Sequence, residues 1–281
     1  MNLKPTYRQE KYRQKENSSK MRKIYLIGVV TLITFLLPQV AIACSVLFYV
    51  DSETGKIYAV NSEDYWLDVD AYIQIEPGRK KEFTRLWYGW DNFAQGGIND
   101  QGLFFDAAVT PEQETIKGYQ NPKDNLGDQL LAHCSDVGDA LDFLEKEKIA
   151  LNNSHIMFGD KTGNAVVVEW VDGERILHWI KENRLIMTNF LLSDPGAGNY
   201  PCYRFESIEK RISEMEKDGG EINLLRVGNT FGQASQLPTE AANGRVGGTV
   251  YTSFIDITDN KFYLTYKLSN DNVLKLDLDV E

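Results

Sequence analysis

Histidine and cysteine are scarce in this chain of 281 residues, which contains three of each. The histidines are His133, His155 and His178, and their spacing is typical neither of a metal site nor of a protease triad. The sequence therefore predicts no chemistry that depends on histidine.

Basic residues are also in the minority, 30 against 41 acidic ones. Eight of them lie in residues 1–43, so a chain that starts at Cys44 keeps 22 basic and 39 acidic residues, a net charge of −17. Such an acidic surface repels phosphate backbones, which argues against nucleic acid as a partner. The remaining 238 residues contain no linker, repeat or low-complexity run, and we expect a single domain over residues 44–281.

Long apolar runs are limited to residues 24–37, which follow Arg22 and Lys23 and precede the small-residue sequence "AIA" at 41–43. This order is typical of a secretory signal peptide. We predict that residues 1–43 are removed and that the protein is exported to the periplasm or the medium. Residues 1–20 are polar, and they are either an extended n-region or a start-site artefact, since Met21 is a tidier start.

The remaining chain has strand and helix patterns in separate groups. Alternation and turn residues predict strands at residues 45–50, 56–61, 71–75, 83–88, 103–109, 156–159, 165–170, 176–180, 185–189, 249–257 and 261–268. Helices are predicted at 126–133, at 137–146 after an N-cap at Ser135 or Asp136, and from the spacing of Phe205, Ile208, Ile212 and Met215. Runs of antiparallel strands with grouped helices indicate an α+β fold.

Cleavage before Cys44 would give one residue both a thiol and a free α-amine. The amine titrates near about 8 and is a competent proton acceptor, so this residue can supply both nucleophile and base. Cys134 and Cys202 either form a disulfide, leaving Cys44 free, or are unpaired and buried. By position alone, Asp64 is either a turn-capping residue or a carboxylate that returns towards Cys44.

Four segments, in order, resemble the linear-amide C–N hydrolases: "CSVLFYVDSETGKIYAVNSEDYW", "GGINDQGL", "MTNF" and "YPCYRFESIEKRI". This group contains choloylglycine hydrolases, penicillin V acylases and isopenicillin N acyltransferase-like proteins, all N-terminal-nucleophile (Ntn) enzymes. The resemblance covers nearly all of residues 44–268. It implies a four-layer αββα sandwich, two antiparallel sheets between helices, and an activity that needs no metal or cofactor.

The resemblance also implies roles for individual residues. Cys44 matches the nucleophile and Asp64 the aspartate that holds its amine. Asn189 matches the asparagine whose amide helps to form the oxyanion hole, and Arg204 matches an arginine that steadies the nucleophile's surroundings. Asn99 is expected to be a structural turn residue. Candidates for substrate contacts are Asn61, Trp66 and Val109, and Trp87 and Trp90 are either pocket or core residues.

The chain departs from the choloylglycine hydrolases at one position. Those enzymes carry Arg-Asn-x-Asp where this chain has Asn61-Ser62-Glu63-Asp64. An anionic substrate such as a bile salt would lose a cationic partner there, so neutral or cationic amides are favoured. We expect Glu63 to face solvent at least as readily as it faces the site.

The predicted function is hydrolysis of a linear N-acyl amide, a small-molecule substrate, through a thioester on Cys44. Acyl transfer to an amine would use the same site. Related enzymes often form homo-oligomers. A third interpretation makes "AIAC" a lipoprotein signal, with a lipid on Cys44 that anchors a binding domain to the membrane. Against it, position 41 is Ala where Leu is preferred, and strand pattern begins without a tether.

Overall fold

The structure is a computed structural model, and it describes residues 44–198 and 200–277. The predicted leader lies outside these residues. In chain order the described strands are β1 Ser45–Val50, β2 Ile57–Trp66, β3 Tyr72–Glu76, β4 Arg85–Trp90, β5 Phe93–Asn99, β6 Phe104–Val109, β7 Ser154–Gly159, β8 Ala165–Val171, β9 Glu174–Trp179, β10 Arg184–Met187, β11 Thr239–Glu240, β12 Val246–Asp256, β13 Lys261–Tyr266 and β14 Ser269–Asp277. The α-helices are α1 Leu126–His133, α2 Val137–Lys146, α3 Tyr203–Lys217 and α4 Leu224–Asn229.

The strands form two antiparallel sheets. In the first sheet the order is β10-β1-β2-β12-β13-β14, and the short β11 pairs with β12. In the second sheet the order follows the chain from β3 to β9. The first sheet brings β1, from the start of the described chain, between β2, which follows it in sequence, and β10, which comes from a distant part of the sequence.

Three apolar cores define four layers. Alternate residues of both sheets, such as Val46, Phe48 and Met157, pack together between the sheets. On the outer face of the second sheet, α1 and α2 cover a core that includes Phe105 and Phe158. On the outer face of the first sheet, α3 and α4 cover residues such as Tyr58. The predicted α+β class and the αββα layering are confirmed.

The helices follow their sequence patterns closely. Asp136 caps α2 by accepting a hydrogen bond from the amide of Asp139, and Val137, Ala140 and Leu144 form the buried face. In α3 the buried residues are Arg204, Ile208, Ile212 and Met215. Arg204 therefore extends the apolar stripe of α3 by one turn, which directs a guanidinium into the protein. Within the described residues no helix is long and apolar enough to cross a membrane.

Some predicted strands differ from the structure in extent, and β5, β11 and β14 were not predicted. The strand predicted at 56–61 continues to Trp66, and β5 was missed because its sequence, "FAQGGIN", has two adjacent glycines and little strand propensity. The glycines are needed there. A Cβ on Gly97 would lie 2.4 Å from the carbonyl oxygen of Leu86 on β4, and one on Gly96 would lie 2.1 Å from Oδ2 of Asp106.

Candidate functional site

Cys44 immediately precedes β1 and is almost completely buried, with 2% of its surface exposed. Side chains alternate along a strand, so Cys44 shares a face with Val46 and Phe48, which lie between the two sheets. Ser45 pairs with Ser62 on β2, and this register puts Cys44 next to Glu63. The predicted nucleophile thus faces the interior of the sandwich.

The Cys44 thiol donates a hydrogen bond to Glu63, with 2.9 Å between Sγ and Oε1. Only 3% of Glu63 is exposed, so the expectation that it faces solvent was wrong. The reason is the length of β2. Because the strand continues past Asn61, Glu63 lies on the same face as Ala59 and Asn61, which points between the sheets.

A chain of hydrogen bonds continues from Glu63 into the second sheet. Asn61 Nδ2 lies 3.4 Å from Glu63 Oε2 and 2.9 Å from Asp106 Oδ1, so one amide links the two carboxyl groups. Tyr88 donates to Asp106 Oδ2 at 2.9 Å, and Ser253 donates to the Tyr88 hydroxyl at 3.1 Å. We call Cys44, Asn61, Glu63, Tyr88, Asp106, Tyr251 and Ser253 the intersheet cluster.

Burial dominates the protonation of this cluster. It raises the pKa of Glu63 to about 7, although hydrogen bonds from Cys44 and Asn61 act in the opposite direction. Burial and the charge of Glu63 raise the pKa of Asp106 well above its usual range. Burial and the neighbouring Glu63 also raise the pKa of the Cys44 thiol. Cys44 is therefore a protonated thiol rather than a thiolate in this environment.

Asp64 points to the opposite face of β2. Thr249 on β12 donates to Asp64 Oδ1, whereas Oδ2 is buried without a hydrogen-bond partner among the described residues. Burial raises the pKa of Asp64 to about 8, while the Thr249 hydrogen bond and the charge of Arg204 lower it. A buried carboxylate oxygen without a donor is rare and indicates a missing partner.

Arg204 joins two of the predicted site residues. Its Nη1 donates to the carbonyl oxygen of Cys44 at 2.6 Å and to Ser45 Oγ at 2.9 Å, and its Nη2 donates to Asn189 Oδ1 at 3.0 Å. Asn189 Nδ2 donates to the carbonyl oxygen of Val109 at 2.8 Å. A side-chain amide has two N–H groups, so one donor of Asn189 remains for another acceptor.

The segment that carries Asn189 is held by a buried carboxylate on β8. Glu169 accepts hydrogen bonds from the backbone amides of Leu192, at 2.6 Å, and Ser193, at 3.0 Å. His155 lies between Glu169 and this segment, with Nδ1 3.0 Å from Glu169 Oε1 and Nε2 2.6 Å from the carbonyl oxygen of Thr188. Asn189 is thus held in place by the contact of Thr188 before it and by the contact of Leu192 after it.

The other residues that the sequence analysis singled out take part in contacts that do not involve the Cys44 thiol. Trp66 is partly buried, with the Arg245 guanidinium 4.5 Å from its ring centre, and Val109 contacts the site only through its backbone. Asn99 is structural, as predicted, because its Nδ2 bonds the carbonyl oxygens of Leu131 and Cys134. Trp87 belongs to the core beneath α1 and α2. Trp90 packs between the sheets and stacks on Tyr65.

The three cysteines are unpaired and buried, so the structure contains no disulfide between Cys134 and Cys202. Within the described chain, no three His, Cys, Asp or Glu side chains come together as a group that would hold a metal ion.

The sequence analysis did not identify Glu63 and Asp106 as members of the intersheet cluster, although they contact its predicted members Cys44 and Asn61. The alternation of β2 would have indicated Glu63, whereas the pairing of Asp106 with Asn61 depends on how the two sheets stack.

Comparison with known proteins places this arrangement in a known fold. No family model and no curated protein sequence matches the chain. Among solved structures, penicillin V acylase from Agrobacterium tumefaciens is similar, with a TM-score of 0.63 over 84% of this chain and 86% of the acylase at 17% identity. The chain has the fold of that acylase. Two variants of conjugated bile acid hydrolase from Clostridium perfringens give TM-scores of 0.63 and 0.67 at 16% and 17% identity, over 84% and 83% of this chain and 92% of each hydrolase.

These structures come from the same enzyme classes that the sequence motifs resemble. At such low identity the likeness shows the fold alone, and the layered αββα sandwich expected from the motifs is confirmed. The residues around Cys44, rather than the overall similarity, must carry any argument about chemistry.

Proposed function

We propose that this protein is an exported amidohydrolase that cleaves a linear N-acyl amide with Cys44 as its nucleophile. One observation carries the proposal: Arg204 bonds both the Cys44 carbonyl and the Asn189 side chain, which joins the candidate nucleophile and the candidate oxyanion donor. This constellation lies in a fold shared with two amide hydrolases.

Removal of residues 1–43 would make the site competent. It converts the amide nitrogen of Cys44 into an amine, and the free Oδ2 of Asp64, one of the charges that raise the thiol pKa, is a suitable acceptor for that amine. In the reaction that the resemblance implies, the amine takes the thiol proton while Sγ attacks the amide carbonyl carbon. The remaining N–H of Asn189 stabilises the developing oxyanion, and water then hydrolyses the thioester.

The substrate class follows from the charges near the thiol. Asn61 occupies the position of the choloylglycine hydrolase arginine, and Glu63 places a carboxyl group in contact with Cys44. An anionic acyl or amine group would be repelled by Glu63 and would find no cation at Asn61. We therefore propose neutral or cationic N-acyl amides rather than conjugated bile acids.

Burial of Cys44 supports the hydrolase over the lipoprotein. A lipid on Sγ would have to replace a hydrogen bond to Glu63 inside the sandwich, where only 2% of the surface of Cys44 is exposed. Intact-mass measurement of the exported protein distinguishes the two: the proposal requires a mass that starts at an unmodified Cys44. A lipid-sized increment on that residue would refute it.

Substitution of the cysteines tests the chemistry. We expect Cys44→Ala to reduce turnover of a panel of N-acyl amides by at least about a thousandfold, since removal of a nucleophile abolishes the covalent route. Cys134→Ala is the matched control, because Cys134 lies in the core under α1 and α2 and should affect stability but not turnover. Equal activity of the wild type and Cys44→Ala across the panel would exclude the proposed reaction.

A further inference from the structure

The Cys44 thiol has a hydrogen-bond acceptor that the resemblance does not imply. Glu63 Oε1 lies 2.9 Å from Sγ, which is within the range required for direct proton transfer by a general base. Glu63 is also held in place, because its second oxygen faces the amide of Asn61. A carboxyl group in this position is therefore poised for chemistry at Sγ.

In the part of the chain that the structure describes, the side chains around Glu63 are acids, hydroxyls, the Asn61 amide and the Cys44 thiol, with no side-chain cation among them. Glu63 faces Cys44 before β1, Asp106 on β6, Tyr88 on β4 and Tyr251 on β12, and Asp64 is its neighbour on β2. Within the described residues, no lysine or arginine forms an ion pair with Glu63 or Asp106, and the guanidinium of Arg204 bonds Cys44 O, Ser45 and Asn189. The carboxyl group of Glu63 can thus accept and release a proton without breaking an ion pair.

Two buried polar atoms of the cluster have no hydrogen-bond partner among the described residues. They are the Tyr251 hydroxyl, which is 1% exposed, and Asn61 Oδ1, whose residue is fully buried. Besides burial, the charges of Glu63, Asp106 and Cys44 help to raise the pKa of Tyr251, which shows that its hydroxyl lies near these three groups. These atoms indicate that the cluster is completed by another polar molecule, as expected next to a thiol that receives a substrate and then a water.

Resting on the proposed function, we propose that Glu63, rather than the α-amine of Cys44, takes the thiol proton and returns it to the leaving amine. As the bond between Sγ and the carbonyl carbon forms, the S–H proton moves to Glu63. When the C–N bond breaks, its electron pair stays on nitrogen, which receives that proton. Water then attacks the thioester and gives a proton to Glu63, which passes it to the departing Cys44 sulfur.

Loss of the acid limb in Glu63→Gln, rather than the wild-type profile alone, separates the two bases. Glu63 has a pKa of about 7, whereas an α-amine titrates near about 8. We expect kcat/KM of the mature protein to fall on the acid side with an apparent pKa near 7. Glu63→Gln should lower kcat by about 10²–10⁴-fold and remove that acid limb. Glu63→Asp should recover part of the rate, and Glu53→Gln, an exposed change in the β1–β2 turn, should match the wild type.

The rate at which iodoacetamide alkylates Cys44 can be measured without a substrate. Peptide mass mapping shows that the modified residue is Cys44. The charge of Glu63 is one cause of the high thiol pKa, so Glu63→Gln should alkylate at least about threefold faster at about pH 8 while its amide turnover falls. A merely structural role of Glu63 would not move these two rates in opposite directions.

The outcomes separate this proposal from the proposed function. If Glu63→Gln keeps the acid limb and a kcat within about threefold of the wild type, Glu63 is not the base, although Cys44-dependent hydrolysis stands. If the wild type has no Cys44-dependent turnover, the proposed function fails. The base role of Glu63 then fails with it, and a faster alkylation of Glu63→Gln would show only that, besides burial, the charge of Glu63 raises the thiol pKa.

Discussion

Glu63 carries a negative charge into an interior that disfavours it. Burial raises its pKa to about 7, whereas Glu in an unfolded chain titrates near about 4.3. The folded state therefore holds a proton that the unfolded state has already released between these values. The contribution of Glu63 to stability is complete below about pH 4 and is lost as the pH rises to about 7.

Glu63→Gln should consequently stabilise the protein while it impairs catalysis. We expect the free energy of unfolding to increase by on the order of 1–3 kcal/mol at about pH 8 and to change little at about pH 4. Urea unfolding of wild type and variant at both values measures the difference. A Gln variant that is less stable at the higher pH would mean that the ionised carboxylate has a partner in the folded protein.

Among the strands, β2 shows what the sequence could and could not predict. The motif "NSEDYW" indicated Asp64, whose charge is one of the causes that raise the pKa of the Cys44 thiol, and the strands predicted at 45–50 and 56–61 pair as β1 and β2. The prediction ended β2 at Asn61, so the alternation that turns Glu63 inwards was lost. Local patterns fix which residues share a face, but the contact of Asn61 with Asp106 arises only when two sheets stack.

The segment between β10 and α3 depends on one side chain from another strand. Burial alone would raise the pKa of Glu169, but hydrogen bonds from His155, His178, Ser193 and the Leu192 amide hold it well below the usual range. The contribution of Glu169 to stability is therefore present above about pH 4 and is lost as the pH falls further. Through Thr188 and Leu192 it also positions Asn189.

Glu169→Gln should loosen this segment. An amide has one acceptor oxygen where the carboxylate offers two, and we expect a loss of about 2–4 kcal/mol at neutral pH and about a tenfold lower kcat. The stability difference from the wild type should shrink below about pH 4. Thermal unfolding from acidic to neutral pH, together with steady-state kinetics, measures both effects. Glu174→Gln, exposed at the start of β9, is the control, and a loss that does not depend on pH would contradict the assignment.

The entire mature protein would carry a net charge of −17, which acts on substrates before they reach Cys44. Such a field attracts cations and is screened by salt. For a cationic N-acyl amide, kcat/KM should fall severalfold between about 20 mM and about 300 mM NaCl. For an anionic amide of the same acyl group it should rise. The same salt response for both substrates would show that surface charge does not select between them.

The place of β1 in its sheet has a consequence for the proposed mature chain, in which Cys44 would be the first residue. A nucleophile on the terminal residue is ordinarily one aminopeptidase step away from loss. Here Ser45–Val50 pairs on one side with β2 and on the other with β10, and the Cys44 carbonyl is bonded to Arg204. An exopeptidase must draw an extended, unpaired chain into its site, so shortening beyond Cys44 would require a strand with neighbours on both sides to leave the sheet. The fold would thus protect Cys44 from exopeptidases in a chain that starts at this residue.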